Sequence, residues 1–322
     1  MPGCLKRTML ILCMLVIVGT SAAAAQERQQ LSGRDWSASL GANVWFSKGE
    51  IEWEHEVPIG DGVFIGSKLH WKDIETPIYS LDADFVWRRF VVTAAAGWGT
   101  VESGEFIDDD FIAGGPLLSR TRSPVDDGSV YYGNVALGWR AVEWRDFENR
   151  RGHLDVLAGY QWWREKYEAF GVFTIADSVF LPGGSVPTSV RVITHEWTWH
   201  SIRVGGRVYV PLPFGFGARV GAFIIPWSSL RVEDTHHLRD DLRQNPSVLT
   251  EATGGFGYQV EAALMYTIWK GLGIEGGYRR WEVSFDEGDA KFREAGGGSP
   301  VFDLKDASSK RYGFFVGLYY RF

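Results

Sequence analysis

Tyr312-Gly-Phe-Phe-Val-Gly-Leu-Tyr-Tyr-Arg-Phe322 repeats with a period of two. Tyr312, Phe314, Val316, Leu318, Tyr320 and Phe322 form an unbroken apolar and aromatic row, while the alternate positions hold Gly313, Phe315, Gly317, Tyr319 and Arg321. That alternation describes a strand with two unlike faces, one of them suited to lipid. The edge strand of a soluble sheet would alternate in the same way, so the rest of the chain has to decide between the two.

The other end of the chain points to export. Lys6 and Arg7 are followed by an apolar run from Met9 to Val18 and by the small residues Ser21-Ala-Ala-Ala-Ala25. This reads as a removable signal peptide over residues 1–25, with an apolar run too short to span a bilayer. Cys4 and Cys13, the two cysteines, both fall in that leader, so thiol and metal-thiolate chemistry are not expected of the mature chain. The 33 basic and 40 acidic residues give a net charge of −7, and loss of Lys6 and Arg7 makes it more negative by two. Such a chain is a poor general binder of nucleic acid. After the leader no apolar run is long enough for a membrane helix. Yet the full chain's 15 Trp, 12 Tyr, 20 Phe and 39 Gly, all but Gly3 and Gly19 beyond the leader, have to be accommodated. A membrane β-barrel, with its apolar outer band and aromatic girdles, accommodates them.

Ten segments alternate as such a barrel requires. The first is Trp36 to Phe46, with Leu40, Val44 and Phe46 outward and Ser37, Ser39 and Asn43 inward. Others set Leu81 and Phe85 against Asp82 and Asp84, Val204 and Val208 against Arg203 and Arg207, and Val260 and Leu264 against Gln259 and Glu261. Charges fall on the inward parity, as a closed barrel with a polar interior demands. Short connections at Trp87–Phe90, Pro211–Pro213 and Lys270–Gly271 mark the periplasmic side. Long polar ones over about Ser47–Pro77, Val101–Gly128, Glu168–Val192, Ser228–Gly254 and Val283–Lys310 mark the cell surface. The expected fold is thus all-β: a single ten-stranded antiparallel transmembrane β-barrel over residues 26–322, with five long extracellular loops.

Surface loops carry function more often than frameworks do. The second loop holds Asp108-Asp-Asp110, whose first and last carboxylates project to one side of an extended segment. The fourth holds Asp234-Thr-His236-His237, with Asp234 and His236 in the same relation. In a ten-stranded barrel these loops rise from roughly opposite walls, so the two pairs are expected to face one another across the mouth. A carboxylate beside His raises its basicity and orients it, which makes a general base near neutral pH. Crowding Asp108 and Asp110 would raise one carboxyl pKa. With no thiol and no serine nucleophile motif, activated water is the economical reagent. His237 is an equal candidate for the base, and solvated acidic loops that bind divalent ions are the bland alternative.

Several segments resemble a known family. The terminal strand ending in Phe322 resembles the last strand of barrels handed to the barrel-assembly machinery of the bacterial outer membrane. Lys68-Leu-His-Trp-Lys72, Ala96-Gly-Trp-Gly-Thr100, Asp108-Asp-Asp110 with Phe111, Ala158-Gly-Tyr-Gln161 and Asp234-Thr-His236 together resemble the omptins, ten-stranded outer-membrane endopeptidases. The resemblance implies proteolysis of polypeptide substrates at the cell exterior, with Asp108 and Asp110 holding a water and His236, oriented by Asp234, as base. It implies no cofactor beyond bound lipopolysaccharide as an activating lipid. Tyr160 and Arg164 match family positions for that lipid, and Arg164 has the outward parity near the headgroups, where an arginine that merely snorkels would also sit. For substrates cut beside basic residues it implies acids in the specificity pocket. Glu50 is the candidate for one, while the position two before Asp234 holds Val232. A non-enzymatic barrel, adhesin or structural protein, is the competing expectation.

Overall fold

The computed structural model describes residues 35–60, 63–112, 115–176 and 184–322, so the predicted leader lies outside the described residues. Among them twelve strands form: β1 (Trp36–Gly60), β2 (Val63–Trp87), β3 (Phe90–Thr100), β4 (Ser103–Ile112), β5 (Leu117–Arg145) and β6 (Arg151–Ala176). The chain continues with β7 (Ser185–Pro211), β8 (Phe216–His236), β9 (Val248–Trp269), β10 (Leu272–Phe285), β11 (Gly288–Phe292) and β12 (Val301–Arg321). All pairings are antiparallel. β3 and β4 both pair with β2 and β5, so they are one wall interrupted between Thr100 and Ser103. β10 and β11 likewise share β9 and β12 as neighbours. Twelve strands therefore make ten walls. β1 zips to β12 from Ser39↔Arg321 upward and to β2 from Trp36↔Trp87, which closes the ring and leaves no edge to aggregate.

The long connections expected as polar loops are mostly strand. β1 and β2 continue as one hairpin to Gly60 and Val63, and β5, β6 and β7 are 29, 26 and 27 residues long. Their polarity came from alternation with the opposite sense. In the lower part of β1, Leu40 and Phe46 face out while Asn43 is buried inside. Higher up, Ile51 and Trp53 are buried inside, and Glu50, Glu52, Glu54 and Glu56 stand on the other parity. The lower half is thus apolar outside and polar inside, and the upper half is the reverse.

Irregularities accompany this inversion. In β2 the register skips between Gly49↔Ile74 and Ile51↔Trp71, with Asp73 at φ 52°, and the buried row switches from Ile78, Thr76 and Ile74 to Trp71 and Leu69. In β8 the pairing jumps from Ile225↔Gly257 to Ser228↔Gly255, after which Ser228, Leu230, Val232 and Asp234 are the buried row. The break between β3 and β4 has the same effect: Gly97, Gly99 and Val101 are buried below it, and Phe106 above. An extra residue in a strand sends every later side chain to the other face.

The lower interior is filled by ion pairs. Arg207 binds Asp84, Arg140 binds Asp155, and Arg219 and Arg279 converge on Glu261. Arg203 bridges Gln259 and Asn134. Above them Arg279 lies over Trp45, Trp281 and Phe315. The upper interior is an aromatic core containing Trp53, Trp71, Tyr167, Trp197, Trp199 and Phe285. These bulky groups block a continuous pore, as expected for so narrow a barrel.

Candidate active site

On top of the aromatic core sit the two acidic pairs. β4 presents Phe106, Asp108 and Asp110 to the inside, and the Phe106 ring lies tilted against Trp71 at 4.4 Å between centroids. Ser67 on β2 donates to Asp108 Oδ1 (3.1 Å), and Ser119 on β5 donates to Asp110 Oδ2 (2.9 Å). Asp109, on the other parity, is held by Arg120 on the outer face. The Asp pair is therefore anchored from both neighbouring strands.

The facing wall supplies the Asp–His pair. Asp234 is buried, and its Oδ2 lies 3.0 Å from His236 Nε2 and 3.1 Å from Nε2 of His195, which is fully buried on β7 directly opposite Asp234 in the register. His195 Nδ1 accepts a hydrogen bond from the indole N–H of Trp71 at 2.8 Å. With Nδ1 as the acceptor, the proton of a neutral ring sits on Nε2, the nitrogen 3.1 Å from Asp234 Oδ2. The His236 backbone N–H donates to Ser247 Oγ at 3.0 Å, which pins the end of β8. With Nε2 against Asp234, Nδ1 of His236 is the nitrogen left to take a proton. His237 has the opposite parity and contacts Thr194 Oγ1, away from both pairs.

The electrostatics divide the site in two. Burial raises the pKa of Asp108, and the charge of Asp110 raises it further, while His236 pulls the other way. Asp110 is also raised, first by burial. Burial would raise Asp234 too, but His195 and His236 outweigh it and hold its carboxyl well below the usual range. Burial alone would lower His236, yet the charge of Asp234 leaves it above the ordinary imidazole value, with Asp108 adding to the effect. Asp108 and His236 thus act on each other across the mouth. His55, beside Phe292, is pushed down to about 4 by burial, partly offset by Asp234.

Of the residues singled out from sequence, Asp108, Asp110, Asp234 and His236 come together and three others do not. Glu50 lies on the outer face of β1, paired with Lys310 at 2.9 Å and accepting from the Tyr312 hydroxyl. Arg164 is on the outer face of β6 in a two-pronged pair with Glu196 of β7 (2.8 and 2.7 Å). Tyr160, also outward, bonds His200. His55, Ser67, Ser119 and His195 escaped the sequence reading, and Trp71 entered it only within the segment Lys68–Lys72.

A model of the Pom family, described as Protochlamydia outer membrane protein, matches residues 44–284. The chain belongs to this family. Among curated proteins no sequence matches it. Among solved structures, this Pom-family barrel is similar to the outer membrane protease OmpT from Escherichia coli, with a TM-score of 0.76 and 14% identity over 89% of this chain and 97% of that one. The family and the shared fold make it an outer-membrane barrel. The omptin likeness anticipated from sequence is met at the level of fold, and the family matched by sequence is Pom. A FadL homologue of Pseudomonas aeruginosa aligns over 89% of this chain and 90% of that one, with 10% identity and a TM-score of 0.26.

Proposed function

We propose that this barrel is an endopeptidase of the outer membrane, its site open to the cell exterior and its substrates polypeptides. The observation that carries the reading is the pairing of Asp108 and Asp110 on one wall with Asp234 and His236 on the other, above a core that separates them from the polar lumen. In the proposed reaction a water held against Asp108 and Asp110 gives a proton to His236 Nδ1 while its oxygen attacks the scissile carbonyl carbon. Asp234 stabilises the imidazolium so formed. Collapse of the tetrahedral intermediate breaks the C–N bond, and His236 returns the proton to the leaving amine. The fold shared with OmpT supports the reading without establishing the activity.

Selectivity for basic residues is not part of the proposal, because Glu50 faces outward and Val232 is fully buried. Lipopolysaccharide as activating lipid near Tyr160 and Arg164, and the barrel-assembly machinery during biogenesis, belong to the proposal as partners. The test is cleavage of a mixed peptide library by whole cells of a protease-deficient Gram-negative host expressing the chain. Wild type cleaves, and Asp234→Ala or His236→Ala loses at least about a hundredfold with the barrel still folded. Cleavage surviving in His236→Ala would remove the base. A folded wild type that cleaves nothing in lipopolysaccharide-containing membranes would favour the non-enzymatic alternative.

A further inference from the structure

A buried hydrogen bond crosses the barrel between the two halves of the site. Trp71 on β2 is the register partner of Phe106, two residues before Asp108 on β4, and its ring packs tilted against Phe106. His195 on β7 is the register partner of Asp234 on β8. The hydrogen bond from Trp71 Nε1 to His195 Nδ1, at 2.8 Å and wholly buried, therefore joins the wall that carries the Asp pair to the wall that carries the Asp–His pair. The same imidazole places its other nitrogen 3.1 Å from Asp234 Oδ2. We propose that Trp71 and His195 form a strut that sets the separation of the two halves and orients Asp234, making His195 a positioning residue for the reaction proposed above.

Three features argue for this role over plain packing. An apolar side chain would fill the same space among Trp53, Trp71 and Trp197, the aromatic rings His195 touches. A buried imidazole whose nitrogens lie 2.8 and 3.1 Å from polar atoms on two different walls does what an apolar group cannot. The strut also acts where sheet pairing cannot: β2 and β7 are not neighbours in the ring, so no backbone ladder fixes the distance between them. Finally, one nitrogen accepts from an indole and the other faces a carboxylate, so His195 serves as a two-ended link.

The inference rests on the endopeptidase reading for its kinetic arm and stands apart from it for its spectroscopic arm. Gln is the informative replacement, because its amide offers an acceptor oxygen for Trp71 and a donor N–H for Asp234. In purified refolded protein, His195→Leu is expected to lose kcat by about ten- to a hundredfold with KM within about twofold, since misplaced groups cost rate more than binding. His195→Gln should restore most of that loss, and Trp71→Phe should lose kcat in part. The double variant Trp71→Phe/His195→Leu should be no worse than His195→Leu alone. Wild-type kcat in His195→Leu, a loss confined to KM, or Gln as poor as Leu would overturn the strut. If wild type cleaves no peptide, the endopeptidase reading falls, and the strut is read from the Trp71 indole proton. That proton should exchange slowly in wild type and His195→Gln and fast in His195→Leu. Equal exchange in all three overturns it. Trp71→Phe carries the kinetic test if His195→Leu does not fold.

Discussion

The lower and upper halves of this barrel are built from the same strands with their chemistry turned inside out. Below Tyr79 and Trp98, whose rings meet on the outer surface, Leu81 and Phe85 face lipid and Asp84, Arg207 and Glu261 fill the lumen. Above them, Glu52 and Lys68 pair on the outside and Trp53, Trp71 and Trp197 fill the inside. The solvent decides which face is apolar: lipid requires an apolar exterior, and water requires an apolar core. Some strands, such as β1, satisfy both by exchanging residue types on an unchanged parity, and others change parity on the way up. The irregularities at Asp73, at Ile225–Ser228 and between β3 and β4 make that change. The last two also bring the candidate site residues to the interior.

The sharpest way to break the comparison is to place the same kind of damage in each half. In the upper half Trp53→Ala empties a fully packed core position and should cost about 3–5 kcal/mol. In the lower half Leu81→Arg puts a cation on the lipid face between the girdles and should cost about 2–4 kcal/mol. A charge reversal at Glu54, on the upper outer face, should stay within about 0.5 kcal/mol. Urea unfolding in detergent micelles or lipid vesicles measures all three. Comparable costs for Leu81→Arg and the Glu54 reversal would mean that the apolar band is not where lipid sits.

Much of the lower half was legible in the sequence, because one alternation with outward aromatics runs through each strand there. The upper half was hidden by its parity changes. Counted down from Tyr79, Trp71 has the outward parity, and only the bulge at Asp73 turns it inward. Asp108, Asp110, Asp234 and His236 were found as i, i+2 pairs, a relation that survives a shift of register. Their common direction was not available from alternation, since counting from Trp98 or Val220 sends them to lipid. His195 could have been found: β7 has no such break over its buried row of Trp197, Trp199, Ser201 and Arg203, so continuing it upward leads to His195. The predicted loop ended at Val192, so His195 fell on the inward parity of the strand that follows, where no motif singled it out.

Within the upper half Asp108 and Asp234 should respond to pH with opposite sign. Asp108 has a raised pKa in the folded state, so the stability tied to its protonated form is present below the unfolded carboxylate pKa and lost as pH rises through the folded value. Asp108→Asn should then be more stable than wild type near neutral pH, on the order of 1 kcal/mol because the carboxylate is partly exposed and screened. In strong acid the difference should vanish. Asp234 has a depressed pKa, so its contribution is present above the unfolded pKa and lost as pH falls through the folded one. Asp234→Asn should be the less stable variant at neutral pH and also approach wild type in strong acid. Unfolding curves across pH check both. The same sign for the two variants would mean that the site is not divided into a repelled pair and an attracted one.

The smallest effect lies on the outer face where the halves meet. Arg164 and Glu196 are partly exposed, with side-chain accessibilities of 39% and 26%, so losing their ion pair should cost less than about 1 kcal/mol. The pair matters more for what it withholds. Glu196 occupies the guanidinium that a lipid A phosphate would need, and a phosphate must displace that carboxylate to reach Arg164. Glu196→Ala should therefore tighten lipopolysaccharide binding to the detergent-solubilised barrel, and Arg164→Ala should weaken it. If all three proteins bind alike, Arg164 is an arginine anchored at the interface by its own neighbour, and the activating lipid, if one is needed, rests elsewhere on the upper wall.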